Sequence, residues 1–582
     1  MTRTSSAALS RRALLGTGIG GAGLLAAGCS VFDDEAGPGG GSGEGTSLTI
    51  ATTTTIDTLD PHYVGASQYI LPSGLMEGLL LQDEEGTDVI PGLAESYEAS
   101  EDELTFTFHL RQGLTWSNGD PLTSADALWS FERLLSPTGA GSGGTLGSTS
   151  YQPSMGIKGA LDFQAGILDS FEDVGITAPD ETTVVIELET RNPDFLVNMT
   201  HYSMTVLHQA SIEADAQGWQ QPENWVGNGP YLLTSWDPNS LIEMEKNPEY
   251  WDADNVAVER ISYQLGGDLP TRVLAFQGGD LDVLEVDGTA LVGSPELEEA
   301  LTRVDGAGLQ YLQSMWGGHP AVQDQRVRQA VSMAIDREAL TANNPGRVPA
   351  GSLIPPSVPG WSEELSVPYD VDGARGLLEE AGLREDPPGL RLLAGLDEPM
   401  LEILKEGLTD ALGMDVIIDI VEAGVYVDNR WKPYDSETHM SFYFGSFGSI
   451  STMPTWTMNL FGPDHVRQFT LPYEAWQEIE ALQADDSLSG PELTERTEEI
   501  LSTKSSPEAQ EYTRLVKEAM TILDDAERNQ AFLDAAQVRR DIASTIPLAA
   551  TAQMWVTSER TSGLHGRAAP EGYYFKDLTV SE

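Results

Sequence analysis

The sequence predicts a mixed α/β protein in which strands and helices are interspersed along most of the chain. Some short segments alternate apolar and polar residues with a period of two, as strands do. Others repeat apolar residues every three or four positions between capping residues, as helices do. The chain has 582 residues, of which 40% are apolar, so we expect two or three folded domains rather than one core.

Three segments have the alternation of a strand. The clearest is LTFTFHL (104–110), in which Leu and Phe occupy one face and Thr and His the other. The segments SLTIAT (47–52) and TTVVIELE (182–189) are predicted strands as well, because β-branched and apolar residues dominate both.

A turn followed by a helix is predicted after the second of these strands along the chain. The segment WSNGDPL (116–122) contains the turn pair Asn-Gly. Thr123 and Asp126 then have the spacing of a capping box, which satisfies two backbone N–H groups at a helix start.

The second half of the chain has helix signals of its own. VRQAVSMAI (327–335) carries apolar residues on one helical face. DGARGLLEEAGL (372–383) predicts a helix with Asp372 as its cap and Gly382 as its stop. The stretch 401–421 predicts a helix followed by a buried strand.

Charge and composition exclude several classes of function. The chain has 91 acidic and 32 basic residues, a net charge of −59, and such a surface repels nucleic acid. Its one cysteine excludes an internal disulfide and a multi-thiolate metal site, and its 8 histidines lack metal-ligand spacing. We therefore expect no metal and no cofactor. No run of 18 strongly apolar residues occurs, which argues against a protein with several membrane spans.

The N-terminus resembles an export signal that ends at a lipid-attachment site. Residues 1–28 contain SRRALL, similar to a twin-arginine signal, and then a glycine-rich apolar run. The run ends before Cys29 in a sequence similar to a lipobox, with Ala26 where Leu is usual. We expect Cys29 to be acylated and residues 29–46, rich in Gly, Ser and acids, to be a flexible tether. The alternative is a passive cysteine in an ordinary signal peptide.

Eight segments, in one order along the chain, resemble the family 5 extracellular solute-binding proteins of ABC importers, the dipeptide-, oligopeptide- and nickel-binding type. The segments are TLDPHY (58–63), LMEGLL…GTDVIPGLAESYEAS (75–100), LTFTFHLRQGLTWSNGDPLTSADALWSFERLL (104–135), NGPYLLTSW (228–236) with EKNPEYW (245–251), QGGDLDVLE (277–285), DQRVRQAVSMAIDREAL (324–340), YDVDGARGLLEEAGL (369–383) and 401–421.

This resemblance implies an α/β, two-lobed, periplasmic-binding-protein-like (type II) fold that closes over a ligand, with an extra subdomain inserted in the first lobe. It implies that the chain crosses between the lobes twice, near residues 300–310 and 545–552. The boundaries that we expect are residues 47–75, 178–304 and 549–582 for lobe I, 76–177 for the inserted subdomain and 305–548 for lobe II.

The resemblance also implies which segments line the ligand cleft. In peptide-binding members the counterpart of FYFGSFGSISTMPTW (442–456) contains Gly-Trp-x-Ala-Asp, and the Asp pairs with the α-ammonium group of the ligand. Aligned without gaps, Ser446 takes the place of the Trp and Ser449 that of the Asp. A neutral serine does not replace a desolvated ion pair, so this pattern argues against a free peptide amine at Ser449.

The candidate ligand contacts come from this loop, from the loop around residues 62–69 and from YLQSMWGGHP (311–320). For the aromatic candidates, ordinary packing within a lobe is an equal alternative. The predicted ligand-binding residues are His62, Tyr69, Trp316, Phe444, Ser446, Phe447, Ser449 and Trp456.

The function that these resemblances imply is that of a monomeric substrate-binding protein, lipid-anchored on the extracytoplasmic face of the membrane. It would capture a solute, a peptide or peptide-like molecule first of all, and deliver it to the permease and ATPase subunits of an ABC importer. The alternatives are the same fold binding a non-peptide ligand, such as an oligosaccharide or a metal chelate, for uptake or sensing. A secreted hydrolase is more remote, because no HExxH, GxSxG or SxxK motif is present.

Overall fold

The computed structural model describes most of the chain from residue 46 to residue 581. The gaps within this range are residues 57, 63–73, 85, 87, 138–154, 165, 431, 435, 449–451, 455, 458–461, 486–487, 489 and 566–572. The predicted export signal, the lipid-attachment residue Cys29 and the tether as far as residue 45 lie outside the described residues. Two predicted ligand contacts, Tyr69 and Ser449, lie outside them as well.

Strands occur throughout the described part of the chain. They are β1 (Ser47–Ala51), β2 (Leu80–Gln82), β3 (Val89–Pro91), β4 (Ala94–Ala99), β5 (Thr105–Leu110), β6 (Ile176–Asp180), β7 (Thr183–Glu187), β8 (Tyr231–Asp237), β9 (Leu241–Lys246), β10 (Arg260–Gln264), β11 (Val283–Glu285), β12 (Leu301–Ser314), β13 (Arg347–Pro349), β14 (Gly389–Ala394), β15 (Val416–Ile420), β16 (His439–Gly448), β17 (Thr545–Thr557), β18 (Thr561–Ser562) and β19 (Thr579–Val580).

Helices are concentrated in the second half of the chain. The α-helices are Ser124–Leu135, Ala160–Gln164, Phe195–Asn198, Gln209–Ala214, Leu269–Gly278, Gly288–Leu291, Pro295–Glu299, Gln325–Met333, Arg337–Thr341, Val371–Glu380, Pro399–Leu412, Ala423–Asn429, Pro463–Phe469, Tyr473–Gln483, Gly490–Lys504, Pro507–Thr521 and Asp525–Ile542. Short 3₁₀ helices are Phe171–Asp173, Tyr202–Met204, Pro222–Asn224, Ala253–Asn255, Pro320–Gln323, Glu363–Leu365 and Phe575–Asp577.

One large sheet runs through the molecule in the order β15-β14-β16-β12-β17-β11-β1-β10-β9-β8, and β13 pairs with β17. On one side β1 is parallel to β10 and β11. On the other side β14 is parallel to β15 and β16. The long strands β12 and β17 are antiparallel to each other and to their outer neighbours, and they join these two sides. We call the side with β1 the first half of the sheet and the side with β14 the second half.

The two predicted crossing segments fall within β12 and β17, the strands that belong to both halves. A separate four-stranded sheet, β4-β5-β7-β6, lies within the predicted inserted subdomain and its flank. The exact boundaries of the lobes and of the subdomain stay predictions.

Each half has its own apolar core. In the second half, helices Gln325–Met333 and Pro399–Leu412 pack with β14 and β16 on one face of the sheet. On the other side, helices Pro507–Thr521 and Asp525–Ile542 enclose a second core. This second core includes Leu309 of β12 and Ala550 of β17, so helices cover the crossing strands on this side.

Local sequence signals predict several elements correctly. β5 has strictly alternating burial, as its sequence indicates. The helix Ser124–Leu135 begins at Thr123, and both hydrogen bonds of the capping box with Asp126 are present. Helix Gln325–Met333 buries Val327 and Val331 against the sheet, as its apolar face predicts.

Two local predictions are wrong in detail. The helix Val371–Glu380 is capped by Asp370, whose side chain accepts from the N–H of Gly373, and Asp372 lies inside its first turn. The predicted buried strand after residue 412 is β15, which is the last strand of the sheet. Its residue Ile417 is therefore exposed, because an edge strand has a neighbour on one side alone.

Within the described residues, no helix has both the length and the apolar character that a membrane span requires.

Candidate ligand-binding site

The carboxyl ends of strands from both halves of the sheet converge on β12 and β17. In the first half, β11 runs toward Glu285, which lies opposite Trp555 of β17. In the second half, β16 runs toward Gly448, which lies opposite Gly308 of β12. Between these two points the pairing of β12 with β17 is interrupted by a β-bulge that follows Val304. Ligands in open α/β sheets bind outside the carboxyl ends of the strands, so this convergence is the candidate site.

Three polar side chains of the first half lie at this edge. They are Thr52, Tyr263 and Glu285, which follow the buried residues Ile50 of β1, Ile261 of β10 and Val283 of β11 by two positions each. Because side chains two positions apart in a strand point the same way, all three share one face of the sheet. The hydroxyl of Thr52 donates a hydrogen bond to Oε2 of Glu285 at 2.7 Å. This bond fixes the direction of the Glu285 carboxylate at the edge of the sheet.

Aromatic rings pack beneath these polar groups. The rings of Trp555 and Tyr573 lie 5.5 Å apart in an edge-to-face arrangement. Phe575 lies 5.5 Å from Tyr573 and 5.8 Å from Tyr263. Trp555, Tyr573 and Phe575 belong to the core of the first half, and Tyr263 packs against it. We call the edge of the sheet above this aromatic floor, at the carboxyl ends of β1, β10 and β11, the recess.

Glu285 lies among groups that affect one another's titration. Its side chain is exposed, and the surrounding protein raises the pKa of its carboxyl. Burial raises the pKa of the Tyr263 and Tyr573 phenols, and the charge of Glu285 adds to this effect. Among the described residues, Glu285 takes part in no ion pair and no basic group perturbs its titration.

Side chains also connect the two halves away from the crossing strands. The hydroxyl of Thr452, in the loop after β16, donates to Oδ2 of Asp194. Arg191 forms an ion pair with Glu103 at 2.6 Å and donates to the carbonyl of Ile522 at 2.7 Å. The loop after β16 and the Ile522 turn therefore contact the segment 191–194 of the first half.

His62 lies in the interior of the first half. It is fully buried, and its Nδ1 atom is 2.6 Å from Nη1 of Arg133. The Arg133 guanidinium also donates to the Asp60 carboxylate. Burial and the positive charge of Arg133 lower the pKa of His62. The structure thus places His62 in a polar network rather than at the recess, and its ligand contact stays a prediction.

Trp316 and Trp456 are packed inside the second half. Trp316 is 1% exposed, stacks on Phe469 at 4.3 Å and on Trp476 at 5.2 Å, and donates from Nε1 to a backbone carbonyl. Trp456 is fully buried and donates to the carbonyl of Leu353 at 2.7 Å. These contacts are those of core residues.

The predicted contacts in β16 divide between core and site. Phe444 is buried in the core of the second half. Ser446 is exposed and Phe447 is half-buried, and both lie at the carboxyl end of the strand near the crossing. Phe447 also contacts the ring of Trp456 at 5.9 Å. Ser446 and Phe447 therefore lie near the crossing strands, and their contact with a ligand stays a prediction.

Sequence reasoning missed the residues of the first half that form the recess. QGGDLDVLE (277–285) was identified as a family segment, but its final Glu was not proposed as a ligand contact. The available signal was an acid at the carboxyl end of a short apolar strand, on the same side as the buried Val283. Among 91 acidic residues, that signal does not single out Glu285.

Among the described residues, no group of three or more His, Cys, Asp or Glu side chains is positioned to hold a metal ion.

Comparison with known proteins identifies the family. The profile of the bacterial extracellular solute-binding proteins, family 5, middle region, matches residues 88–467. The periplasmic oligopeptide-binding protein OppA of Salmonella typhimurium is 30% identical over 349 residues, which are 57% of this chain and 62% of that protein. The chain therefore matches less than two thirds of that relative's length.

The probable deoxycholate-binding periplasmic protein YgiS of Escherichia coli is 30% identical over 395 residues, 64% of this chain and 71% of that protein. The structure of OppA from Burkholderia pseudomallei matches with a TM-score of 0.71 at 22% identity, over 93% of this chain and 100% of that one. This likeness confirms the mixed α/β, two-lobed fold. On the profile match, the chain belongs to the bacterial extracellular solute-binding proteins of family 5.

Proposed function

We propose that this protein is the substrate-binding protein of an ABC importer and not an enzyme. It captures an extracytoplasmic solute between the two halves of the sheet and delivers it to the permease and ATPase subunits. The observation that carries this proposal is the convergence of strand ends from both halves on the β12–β17 bulge. A ligand bound there touches both halves at once.

The same geometry supports a closure mechanism. Two strands are the covalent connections between halves that otherwise contact through side chains such as Arg191 and Thr452. A ligand that contacts both halves favours the closed state by its difference in affinity for the two states. Moving the equilibrium from 1:99 to 99:1 requires about 5.5 kcal/mol of that difference.

Gly308 suits the point where the chain crosses. A Cβ atom there would lie 2.6 Å from Oγ1 of Thr551 and 3.1 Å from the carbonyl oxygen of Phe447. A side chain there would require the Thr551 hydroxyl to move and the Phe447 carbonyl to shift by a few tenths of an ångström, so glycine allows the closest approach of the strands beside the bulge. In this proposal the lobes have the boundaries predicted from the sequence, and the crossing lies at this bulge.

Peptides are the favoured class of ligand. OppA, one of the relatives, is an oligopeptide-binding protein. A non-peptide ligand is the second candidate, because YgiS is named a probable deoxycholate-binding protein and Ser449 stands where peptide binders have an acid. The decisive experiment is mass spectrometry of the ligand released when the purified full-length protein is denatured. Short peptides would support the first candidate, and a steroid-like or sugar-like mass would support the second.

Export and anchoring complete the proposal. The protein is exported by its twin-arginine signal, acylated at Cys29 and held as a monomer on the extracytoplasmic face of the membrane. The sequence around Cys29 and the Gly-rich segment 29–46 support this placement. The variant Cys29→Ala is expected to leave the membrane fraction and appear in the soluble fraction. A variant that stays membrane-bound would contradict lipid anchoring, and light scattering of the purified protein tests the monomer.

A further inference from the structure

We propose that Glu285 is the anionic anchor of the ligand, binding an ammonium or guanidinium group in the recess at the carboxyl ends of β1, β10 and β11. This inference rests on the proposed function, because it names the ligand chemistry of the same site.

Position and orientation support this role. Glu285 ends β11 at the point where the two halves of the sheet converge. Its carboxylate remains accessible and is held by the hydroxyl of Thr52 through Oε2. That bond leaves Oε1 for a ligand. A carboxylate held in this way is preorganised, so less side-chain entropy is lost when a ligand binds.

The charge around Glu285 is unbalanced. The surrounding protein raises the pKa of the exposed Glu285 carboxyl, and among the residues that the structure describes no Lys, Arg or His forms an ion pair with it. Two of the four buried carboxylates among the described residues do have a cation: Asp60 pairs with Arg133, and Asp282 pairs with Arg560. A desolvated carboxylate without a cation is unfavourable, so a cationic group of the ligand supplies the missing partner.

The aromatic floor fits a cation as well. The rings of Tyr263, Trp555 and Tyr573 lie on the same face of the sheet as Glu285. Tyr263 is the most exposed of the three rings, since Trp555 and Tyr573 are buried, and an aromatic ring attracts a cation through its negative face. A carboxylate beside such rings selects an ammonium or guanidinium over a neutral polar group.

The opposite half ends in neutral residues. Ser446 and Phe447, near the carboxyl end of β16, carry no charge. Glu285 places a negative charge on the first half instead. The cationic end of the ligand would therefore lie on the first half, and the rest of the ligand would extend toward Ser446 and Phe447.

The test uses the full-length protein, purified in detergent, and isothermal titration calorimetry. The probes are trialanine, N-acetyl-trialanine, which lacks the ammonium group, and the polyamine spermidine, a non-peptide cation. We expect the wild-type protein to bind at least one of the cationic probes and to bind N-acetyl-trialanine at least 10-fold more weakly than trialanine. Losing a hydrogen bond to a charged group lowers affinity roughly 10- to 100-fold, and Glu285→Gln should weaken binding of the cationic probe by that factor.

Two further variants control for charge and for folding. Glu299→Gln makes the same change of charge on an exposed helix of the same half, and it should bind the probes as the wild-type protein does. Glu285→Asp keeps the charge and should retain more affinity than Glu285→Gln. The amide of Glu285→Gln can still accept from Thr52 and carries no desolvated charge, so its thermal unfolding temperature should be no lower than that of the wild-type protein at pH 7.

The outcomes separate this inference from the proposed function. If trialanine binds the wild-type protein and Glu285→Gln equally, or if N-acetyl-trialanine binds as tightly as trialanine, the inference is overturned and peptide binding stands. If spermidine alone binds and its binding depends on Glu285, peptide binding is overturned and the inference stands. If no cationic probe binds, the inference is overturned, and mass spectrometry of the released ligand tests the proposed function separately.

Discussion

Replacing Trp316 with alanine distinguishes a core residue from a wall of the ligand cleft. The indole stacks on Phe469 and Trp476, with ring centroids 4.3 Å and 5.2 Å away, and it donates to the carbonyl of Gln468 at 3.2 Å. Truncation of a buried Trp or Phe to Ala typically lowers the free energy of unfolding by 3–5 kcal/mol. Stacked pairs add about 0.5–1.5 kcal/mol each. We therefore expect Trp316→Ala to lower the free energy of unfolding by about 5 kcal/mol, the upper end of that range.

The assay is urea unfolding followed by circular dichroism, together with ligand affinity measured where the variant is folded. Trp316→Phe is the matched control, because it keeps a ring in the stack and loses the hydrogen bond to Gln468. Its expected loss is about 1–2 kcal/mol, from that bond and the smaller ring. Both variants should bind ligand with an affinity close to that of the wild-type protein.

One result would refute this reasoning. If Trp316→Ala lowered the free energy of unfolding by less than about 1 kcal/mol and weakened ligand binding more than 10-fold, which is about 1.4 kcal/mol, Trp316 would be a ligand contact. The sequence-based hypothesis of an aromatic cleft wall would then hold for this residue.

Three other predictions follow from buried groups and from contacts between the halves. Burial lowers the pKa of His201 from 6.5 to about 3. As the pH falls, the imidazole therefore stays neutral in the folded protein but takes up a proton in the unfolded chain. Stability therefore falls as the pH drops below 6.5, by about 2.7 kcal/mol at pH 4.5. His201→Asn keeps a side-chain acceptor for the helix cap and should remove this part of the pH dependence, as measured by urea unfolding at pH 6.5 and pH 4.5. If the variant lost as much stability between these pH values as the wild-type protein, the role of His201 would be contradicted. Arg133→Met leaves Asp60 buried without its partner and should lower the free energy of unfolding by about 3–5 kcal/mol, and a loss below 1 kcal/mol would argue against the pair. Arg191→Ala removes the bond to Ile522 and should increase the radius of gyration of the ligand-free protein in X-ray scattering, whereas identical scattering would show that this contact does not hold the halves together.

Structural features that depend on residues close together in the sequence were predicted well. The capping box of Thr123 and Asp126 depends on one turn of chain and occurs as predicted. The cap at Asp372 was wrong by two residues, because Asp370 also meets the requirements of a cap and the sequence offers no means of choosing between them. The predicted burial of β15 failed because the position of a strand within a sheet depends on segments far away in sequence.

The candidate site was predicted in part. Ser446 and Phe447 came from the family resemblance, and the strand carrying them does end at the crossing. For Trp316 the sequence left core and cleft equally open, and the neighbours that favour the core, Phe469 and Trp476, lie more than 150 positions away along the chain. The recess around Glu285 needed the structure, because its parts come from β1, β10, β11 and the segment near residue 573.

The large excess of acidic residues makes a single recessed carboxylate more important to specificity. With 91 acids against 32 bases, most of the surface attracts cations weakly, and salt screens such exposed charges over about 8–10 Å. This field raises the rate at which a cationic solute arrives but does not select where it binds. Selection requires a carboxylate that is held in a fixed direction and has no cation of its own. Among the described residues Glu285 is held by the hydroxyl of Thr52 and forms no ion pair, so a neutral amide at this position should cost affinity while the net charge hardly changes.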